Sequence, residues 1–330
     1  MVAKKQEIIV SGMRPTGRLH LGHFFGVLKN WERLQKESRC YFFVADWHAL
    51  TTEYANIKEI QGWLAEMVID WLAAGINPEK AVLFVQSRVP EHAELHLLFS
   101  MITPLGWLER VPSYKELQQE LTGKDLSTYG FLGYPLLQTA DVAIYKATKV
   151  PVGQDQVAHI ELSREVVRRF NFLYGELFPE PQSLLTQTPK LPGTDGRKMS
   201  KSYDNCVYLS DSEPEATKKL MNCITDPARI RRQDPGNPDV CTIFSYHKLS
   251  THPDALKQID ADCRTAGIGC VDCKKILVKS MNESLALFRE RRGDIAKKPK
   301  KVQEILDDGA SSARGVARKT LEEANEAMGL

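Results

Sequence analysis

The segment Pro15-Thr16-Gly17-Arg18-Leu19-His20-Leu21-Gly22-His23 places two imidazoles and two glycines where a loop gives way to a helix. Glycine lets a bound group come close to the backbone. The first turn of a helix offers free N–H groups and the positive end of its dipole, a combination suited to phosphate. A pair of core or capping histidines would read the same way over so short a stretch. A second segment, Lys198-Met199-Ser200-Lys201-Ser202, follows Pro192-Gly193-Thr194-Asp195-Gly196, which is rich in turn formers. A mobile loop with two lysines can close over a triphosphate and neutralise the charge that grows on a departing pyrophosphate. The bland reading is a solvated basic loop, and the histidine pair upstream weakens it.

The cysteines form a third constellation. Of seven, four fall in the pattern C-x21-C-x6-C-x2-C: Cys241, Cys263, Cys270 and Cys273. An odd total without a secretory signal argues against a disulfide framework. Four thiols gathered in a reducing compartment usually hold a metal or an iron–sulfur cluster. The spacing does not choose between the two, and core cysteines with a chance C-x2-C pair remain the alternative. Cys40, Cys206 and Cys223 read as small buried hydrophobes.

These residues need elements to position them. Ile8-Ile9-Val10, Tyr41 to Ala45, Ala81 to Val85 and Val150-Pro151-Val152 are short apolar runs that read as buried strands. Between them, Leu21, Phe24, Leu28 and Trp31, and then Trp63, Leu64, Met67, Val68, Trp71 and Leu72, repeat at three and four. Strands alternating with helices predict an α/β fold, a Rossmann-like doubly wound parallel sheet whose ligands bind at the carboxyl ends of the strands. The loops at Gly12 to His23, Asp46-Trp47-His48 and Gly153 to Gln156 all belong there. From Asp211 onward strand-like runs disappear, which predicts a second, mainly helical domain. We divide the chain into residues 1–204 and 205–330, with a last helix from about Ser311 to Met328 that packs back on the core. Lys297-Lys298-Pro299-Lys300-Lys301 reads as a solvated basic loop.

Composition excludes several classes. The 330 residues carry 44 Lys+Arg against 42 Asp+Glu, so a nucleic-acid site has to be a local patch rather than a global charge. No apolar run reaches the ~18 residues of a membrane span, and the charged start, Met-Val-Ala-Lys-Lys-Gln-Glu, does not resemble a signal peptide. A cytoplasmic protein is expected.

Together the first two segments resemble the hallmark motifs of class I aminoacyl-tRNA synthetases, with His-Leu-Gly-His for the first and Lys-Met-Ser-Lys-Ser in full for the second. Gly133-Tyr134-Pro135-Leu136-Leu137-Gln138-Thr139-Ala140-Asp141, Val152-Gly153-Gln154-Asp155-Gln156 and His159-Ile160-Glu161-Leu162-Ser163-Arg164 are similar to the tryptophanyl branch. The cysteine block resembles the bacterial subgroup that carries a [4Fe–4S] cluster. The resemblance implies activation of tryptophan by ATP with Mg2+, transfer to tRNA(Trp), and a homodimer. It implies that His20, His23, Lys198 and Lys201 promote the reaction by positioning and charge stabilisation. Arg14, Pro15, Thr16, Gly22 and His23 then line the phosphate and ribose region, Gly153, Gln154 and Asp155 the ribose, and Leu191 and Met199 the adenine. Lys198, Ser200, Lys201 and Ser202 of the mobile loop complete the ATP-binding set. Asp141 accepts the indole N–H, Tyr134 and Gln156 bind the α-amino group, and His48 is either a pocket residue or a core histidine. The four cysteines ligate the cluster. A tyrosyl enzyme, a nucleotidylyltransferase and a non-catalytic tRNA-binding relative are the rivals. Asp141 and the complete second motif weigh against the first two, and the intact histidines and lysines against the third.

Overall fold

The computed structural model describes residues 6–112, 126–185 and 191–330, except for the side chain of Ser202. The described strands are β1 (Ile8–Met13), β2 (Arg39–Val44), β3 (Ala81–Val85), β4 (Lys149–Val152) and β5 (Gln182–Leu185). They form one five-stranded sheet in the order β3-β2-β1-β4-β5, and every pairing is parallel. The chain starts in the middle, winds outward through β2 to β3, then crosses back over β1 to β4. The order therefore reverses beside β1, where a crevice opens at the strand ends.

Each strand side chain alternates between two apolar cores, as the two-residue period of a strand requires. Ile9, Cys40, Phe42, Val44, Ala81, Leu83 and Val85 face one core. Val10, Tyr41, Phe43 and Phe84 face the other. Both faces are covered, which explains why these strands read as continuous apolar runs. β5, a short edge strand with exposed residues at both ends and half-buried ones between, gave no such signal.

The described helices in chain order are α1 (Leu21–His23), α2 (Lys29–Leu34), α3 (Asp46–Glu53), α4 (Ile57–Ala73), α5 (Glu91–Ile102), α6 (Leu105–Glu109), α7 (Tyr129–Ala143), α8 (Val157–Tyr174), α9 (Glu213–Asn222), α10 (Thr242–Ser250), α11 (Pro253–Arg264), α12 (Cys270–Ala296) and α13 (Pro299–Met328). The expected helix after His20 is present, with a π-helical turn at Phe24–Leu28 between α1 and α2. The last helix begins at Pro299, not Ser311, so the basic run sits at a helix junction. Proline is tolerated in the first turn because its missing N–H would have no intrahelical partner there.

α13 returns to the sheet. Gly309 lies so close to the β3 edge that a Cβ there would stand 1.8 Å from the Leu83 carbonyl oxygen. Arg314 and Arg318 both donate to the buried Glu91 carboxylate on α5. α12 is tied to α4 by Arg292, whose guanidinium pairs with Asp70 at 2.7 Å and with Glu66. The helical part thus shares its apolar core with the sheet: Leu277, Met281, Leu285, Phe288 and Leu306 belong to the same cluster as Trp31 and Phe42.

Candidate active site

Two cavities of about 530 and 400 Å³ meet at the carboxyl ends of β1 and β4, sharing Gly12, His23, Gln138, Asp141 and Gln156 in their walls. The larger takes in His20, Gly22, Gly153, Asp155, Leu191, Lys198 and Met199. The smaller takes in Arg14, Thr16, His48 and Tyr134. The cavities therefore bring together residues that stand far apart in the sequence. Pro15, Gln154, Ser200 and Lys201 lie outside the two walls. Ser202 has its side chain outside the described residues.

The first motif is held by its own imidazoles. His20 is the N-cap of α1: its Nδ1 accepts from the Gly22 N–H at 3.1 Å, and His23 Nδ1 accepts from the His20 N–H at 3.2 Å. This is a capping box made of two histidines. Burial, reinforced by the Lys201 charge, lowers the His20 pKa to about 4 and holds His23 well below its ordinary value as well. Both rings are neutral at pH 7. With Nδ1 accepting in each, the ring proton sits on Nε2. The pair therefore supplies neutral N–H donors.

The second motif folds against the first. Lys201 Nζ donates to the Thr16 carbonyl at 3.1 Å. It passes over Gly17, whose φ of +120° only glycine adopts without strain. Burial lowers the Lys201 pKa to about 8. Lys198 is exposed, while Met199 is buried with Leu191 at the larger cavity. A backbone bridge between His20 and Tyr208, with Leu21 N donating to Val207 O and Leu209 N to Leu19 O, stitches the two motif regions together. Arg18 adds a pair to Asp211 at 2.8 Å and lies over the Tyr208 ring at 4.4 Å.

At the other end Asp141 is buried in α7 with 1% exposure. His48 Nε2 donates to its Oδ2 at 2.7 Å. Gln86 Nε2 and His92 Nδ1 donate to Oδ1, each at 2.7 Å. Burial alone would raise the carboxyl pKa. The hydrogen bonds and charge of His48 and His92 more than reverse this and hold it well below the usual carboxylate range. His48 is thus both a wall residue and a partner of Asp141. Gln86 and His92 were not singled out from sequence, and neither was Gln138, one helical turn before Asp141 on the same face. Tyr134 and Gln156 are bridged by His159. Burial lowers the His159 pKa to about 4, so its neutral ring accepts from the Tyr134 hydroxyl at 3.1 Å and donates to Gln156 Oε1 at 2.7 Å.

The four cysteines gather away from these cavities. Cys241 precedes α10, Cys263 ends α11, and Cys270 and Cys273 open α12. Each of Cys263 and Cys273 senses the charge of Cys241 and Cys270. Cys263 Sγ is 3.9 Å from Arg229 Nη1, and Cys273 Sγ is 3.3 Å from His247 Nε2. Among the described residues, no set of three or more His, Cys, Asp or Glu side chains stands in a coordinating arrangement. No described helix is long and apolar enough to cross a membrane.

A family model described as tRNA synthetases class I (W and Y) matches residues 3–286. The chain is 55% identical over 324 residues to the tryptophan–tRNA ligase of Thermotoga maritima, covering 98% of this chain and 99% of that one. It is 47% identical over 392 residues to the tryptophan–tRNA ligase of Aquifex aeolicus, covering 98% and 99%. The crystal structure of tryptophanyl-tRNA synthetase from Campylobacter jejuni, complexed with ADP and tryptophan, superposes with a TM-score of 0.87 at 32% identity, over 98% of this chain and 100% of that one. The chain belongs to the bacterial class I tryptophanyl-tRNA synthetases, the ligases that activate tryptophan with ATP and load it onto tRNA.

Proposed function

We propose that the larger cavity takes ATP and the smaller one tryptophan, with the α-phosphate and the amino-acid carboxylate meeting between His23 and Gln156, which border both. The meeting of the two cavities at Asp141 and His23 carries this reading. In the activation step a carboxylate oxygen bonds to the α-phosphorus as the bond to pyrophosphate breaks, so negative charge moves onto the leaving group. No protein nucleophile is needed. His20 and His23 donate neutral N–H groups to phosphate, and Lys198 and Lys201 supply the positive charge, with Mg2+ arriving on ATP. Gly153 and Asp155 face the ribose, and Leu191 and Met199 the adenine. The ring of tryptophan enters toward Asp141, which takes its N–H, while Tyr134 and Gln156, aligned through His159, receive the α-amino group. The ribose hydroxyl at the end of tRNA(Trp) then displaces AMP. Residues 1–204 perform the activation, and 205–330 face the tRNA. The enzyme works in the cytoplasm as a homodimer; exposed Leu97, Met101, Leu105 and Tyr129 offer a second copy an apolar face.

For the cysteines the finer reading is a [4Fe–4S] cluster on Cys241, Cys263, Cys270 and Cys273. The donor set supports it: four thiols that sense one another, and N–H groups of Ile243 and Phe244 that bond to the Cys241 sulfur. When bound, such a group supplies metal–thiolate bonds that tie α10, α11 and α12 together. Lys274, Lys275 and Lys279 follow Cys273 and are charges that suit a polyanion partner, although Lys274 also donates to the Met221 carbonyl and Lys275 pairs with Asp272.

One experiment tests both levels. Protein purified without oxygen is assayed for iron, zinc and acid-labile sulfide, and for pyrophosphate exchange with each amino acid in turn. Exchange with tryptophan together with iron and sulfide supports the full reading. Zinc alone replaces the cluster with a four-thiolate zinc site, and neither metal leaves the cysteines as core residues.

A further inference from the structure

The partners of Asp141 come from three other elements. Gln86 lies in the turn after β3, His92 on α5 and His48 on α3. His92 continues inward: its Nε2 and the Tyr145 hydroxyl are 2.7 Å apart. His92 Nδ1 faces a carboxylate and donates to it, which leaves Nε2 as the ring atom that meets the Tyr145 hydroxyl. Tyr145 is fully buried and stacked on Tyr41 with ring centroids 4.3 Å apart. The chain Tyr145, His92, Asp141 is thus anchored in the sheet.

A carboxylate oxygen offers two acceptor directions. On Oδ1 both are taken, by Gln86 and His92. On Oδ2 His48 takes one, and among the described residues no other donor takes the second. Gln86 and His92 border neither cavity, whereas His48 borders the smaller one. The remaining direction therefore lies on the ligand side.

We propose that Gln86 and His92, backed by Tyr145, are positioning residues that set the amino-acid specificity: they fix the rotation of the Asp141 carboxylate so that it presents one acceptor position, on Oδ2 beside His48, to a ring bearing a single N–H. The proposal rests on the reading of Asp141 as the indole acceptor. A ring without that donor leaves a buried anion short of a partner and is rejected. Once an anchor is lost, the carboxylate turns to satisfy itself elsewhere and the rejection weakens.

The test is the ratio of kcat/KM for tryptophan to that for its analogue with sulfur in place of the indole N–H, measured by pyrophosphate exchange. A role confined to stability would leave this ratio unmoved. Gln86→Met and His92→Leu are expected to lower it roughly tenfold and Tyr145→Phe roughly threefold, with the KM for ATP changed less than about twofold. His92→Asn, whose amide N–H replaces Nδ1–H, is expected to keep most of it. Should His92→Leu fail to fold, Gln86→Met and Tyr145→Phe carry the test alone. An unchanged ratio in these variants, with Asp141→Asn lowering it, overturns the positioning role. An unchanged ratio in Asp141→Asn too shows that the indole reading itself is wrong, and the proposal falls with it.

Discussion

At the end of the cavity where we propose that phosphate binds, the polar groups ride on loops. Lys198 is exposed, Lys201 rests on a backbone carbonyl across from Gly17, and two half-buried histidines hold the turn between β1 and α1. At the end proposed to take the amino acid, the polar group is a carboxylate with 1% exposure, held by three side chains and backed by stacked tyrosines. On that proposal the difference follows from what each end must do. Charge develops and then leaves with pyrophosphate, so the stabilising cations must be able to move with it. An indole ring does not change during the reaction, so its reader can be rigid and dry, which makes an unmatched ring costly.

The contrast can be broken most severely at Asp141. Asp141→Ala strands His48, His92 and Gln86 without their acceptor. We expect stability to fall by about 3–5 kcal/mol, as when one partner of a buried pair is removed, and tryptophan affinity to fall at least about a hundredfold, with ATP affinity nearly kept. Thermal unfolding and titration with each ligand separately check this. Equal losses for both ligands would erase the distinction between the two ends.

Next in size is Lys201. Lys201→Ala is expected to lower kcat for activation roughly a hundredfold while tryptophan affinity stays level, the mark of a group that acts in the transition state. Burial lowers its pKa to about 8, so its charge is present below that pH and lost as pH rises through it. The profile of kcat/KM for ATP should then decline above pH 8. Lys201→Arg, which stays protonated, should remove the decline even if it is slower. A fall in tryptophan affinity equal to the fall in rate would make the loop a ground-state clamp.

The smallest effect sharpens the comparison rather than breaking it. Asp211, whose side chain is 3% exposed, receives both Arg18 and Lys219 and so joins the two motif regions. Because the cationic partners are partly solvated, Asp211→Asn should cost only about 1 kcal/mol, or about fivefold in kcat/KM for ATP. Tryptophan affinity should not move. A matching loss at the tryptophan end would show that the two ends are not independent.

Local pattern made much of this molecule legible. The apolar runs marked β1 to β4, and the motifs marked the loops at their ends. The edge strand β5 escaped because Gln182–Leu185 is short and partly exposed, without the apolar signal of a central strand. The start of α13 escaped because lysines around Pro299 look like a loop, whereas Val302, Leu306 and Ala310 continue the buried stripe upstream of the expected start. Gln86 and His92 left no mark at all. They stand 55 and 49 residues from Asp141, and a single Gln or His carries no local period.

By itself, then, the sequence determined the chemistry available: glycine-containing turns of a kind suited to phosphate, two lysines beside a stretch of turn formers, a carboxylate among apolar neighbours and four thiols at fixed spacings. Residue type and short-range periodicity carry that information. Only the tertiary structure decided the protonation and direction of those groups, because both depend on burial and on partners from distant elements. It made the two signature histidines neutral donors, lowered the Lys201 pKa to about 8, and left Asp141 one acceptor direction toward the cavity among the described residues.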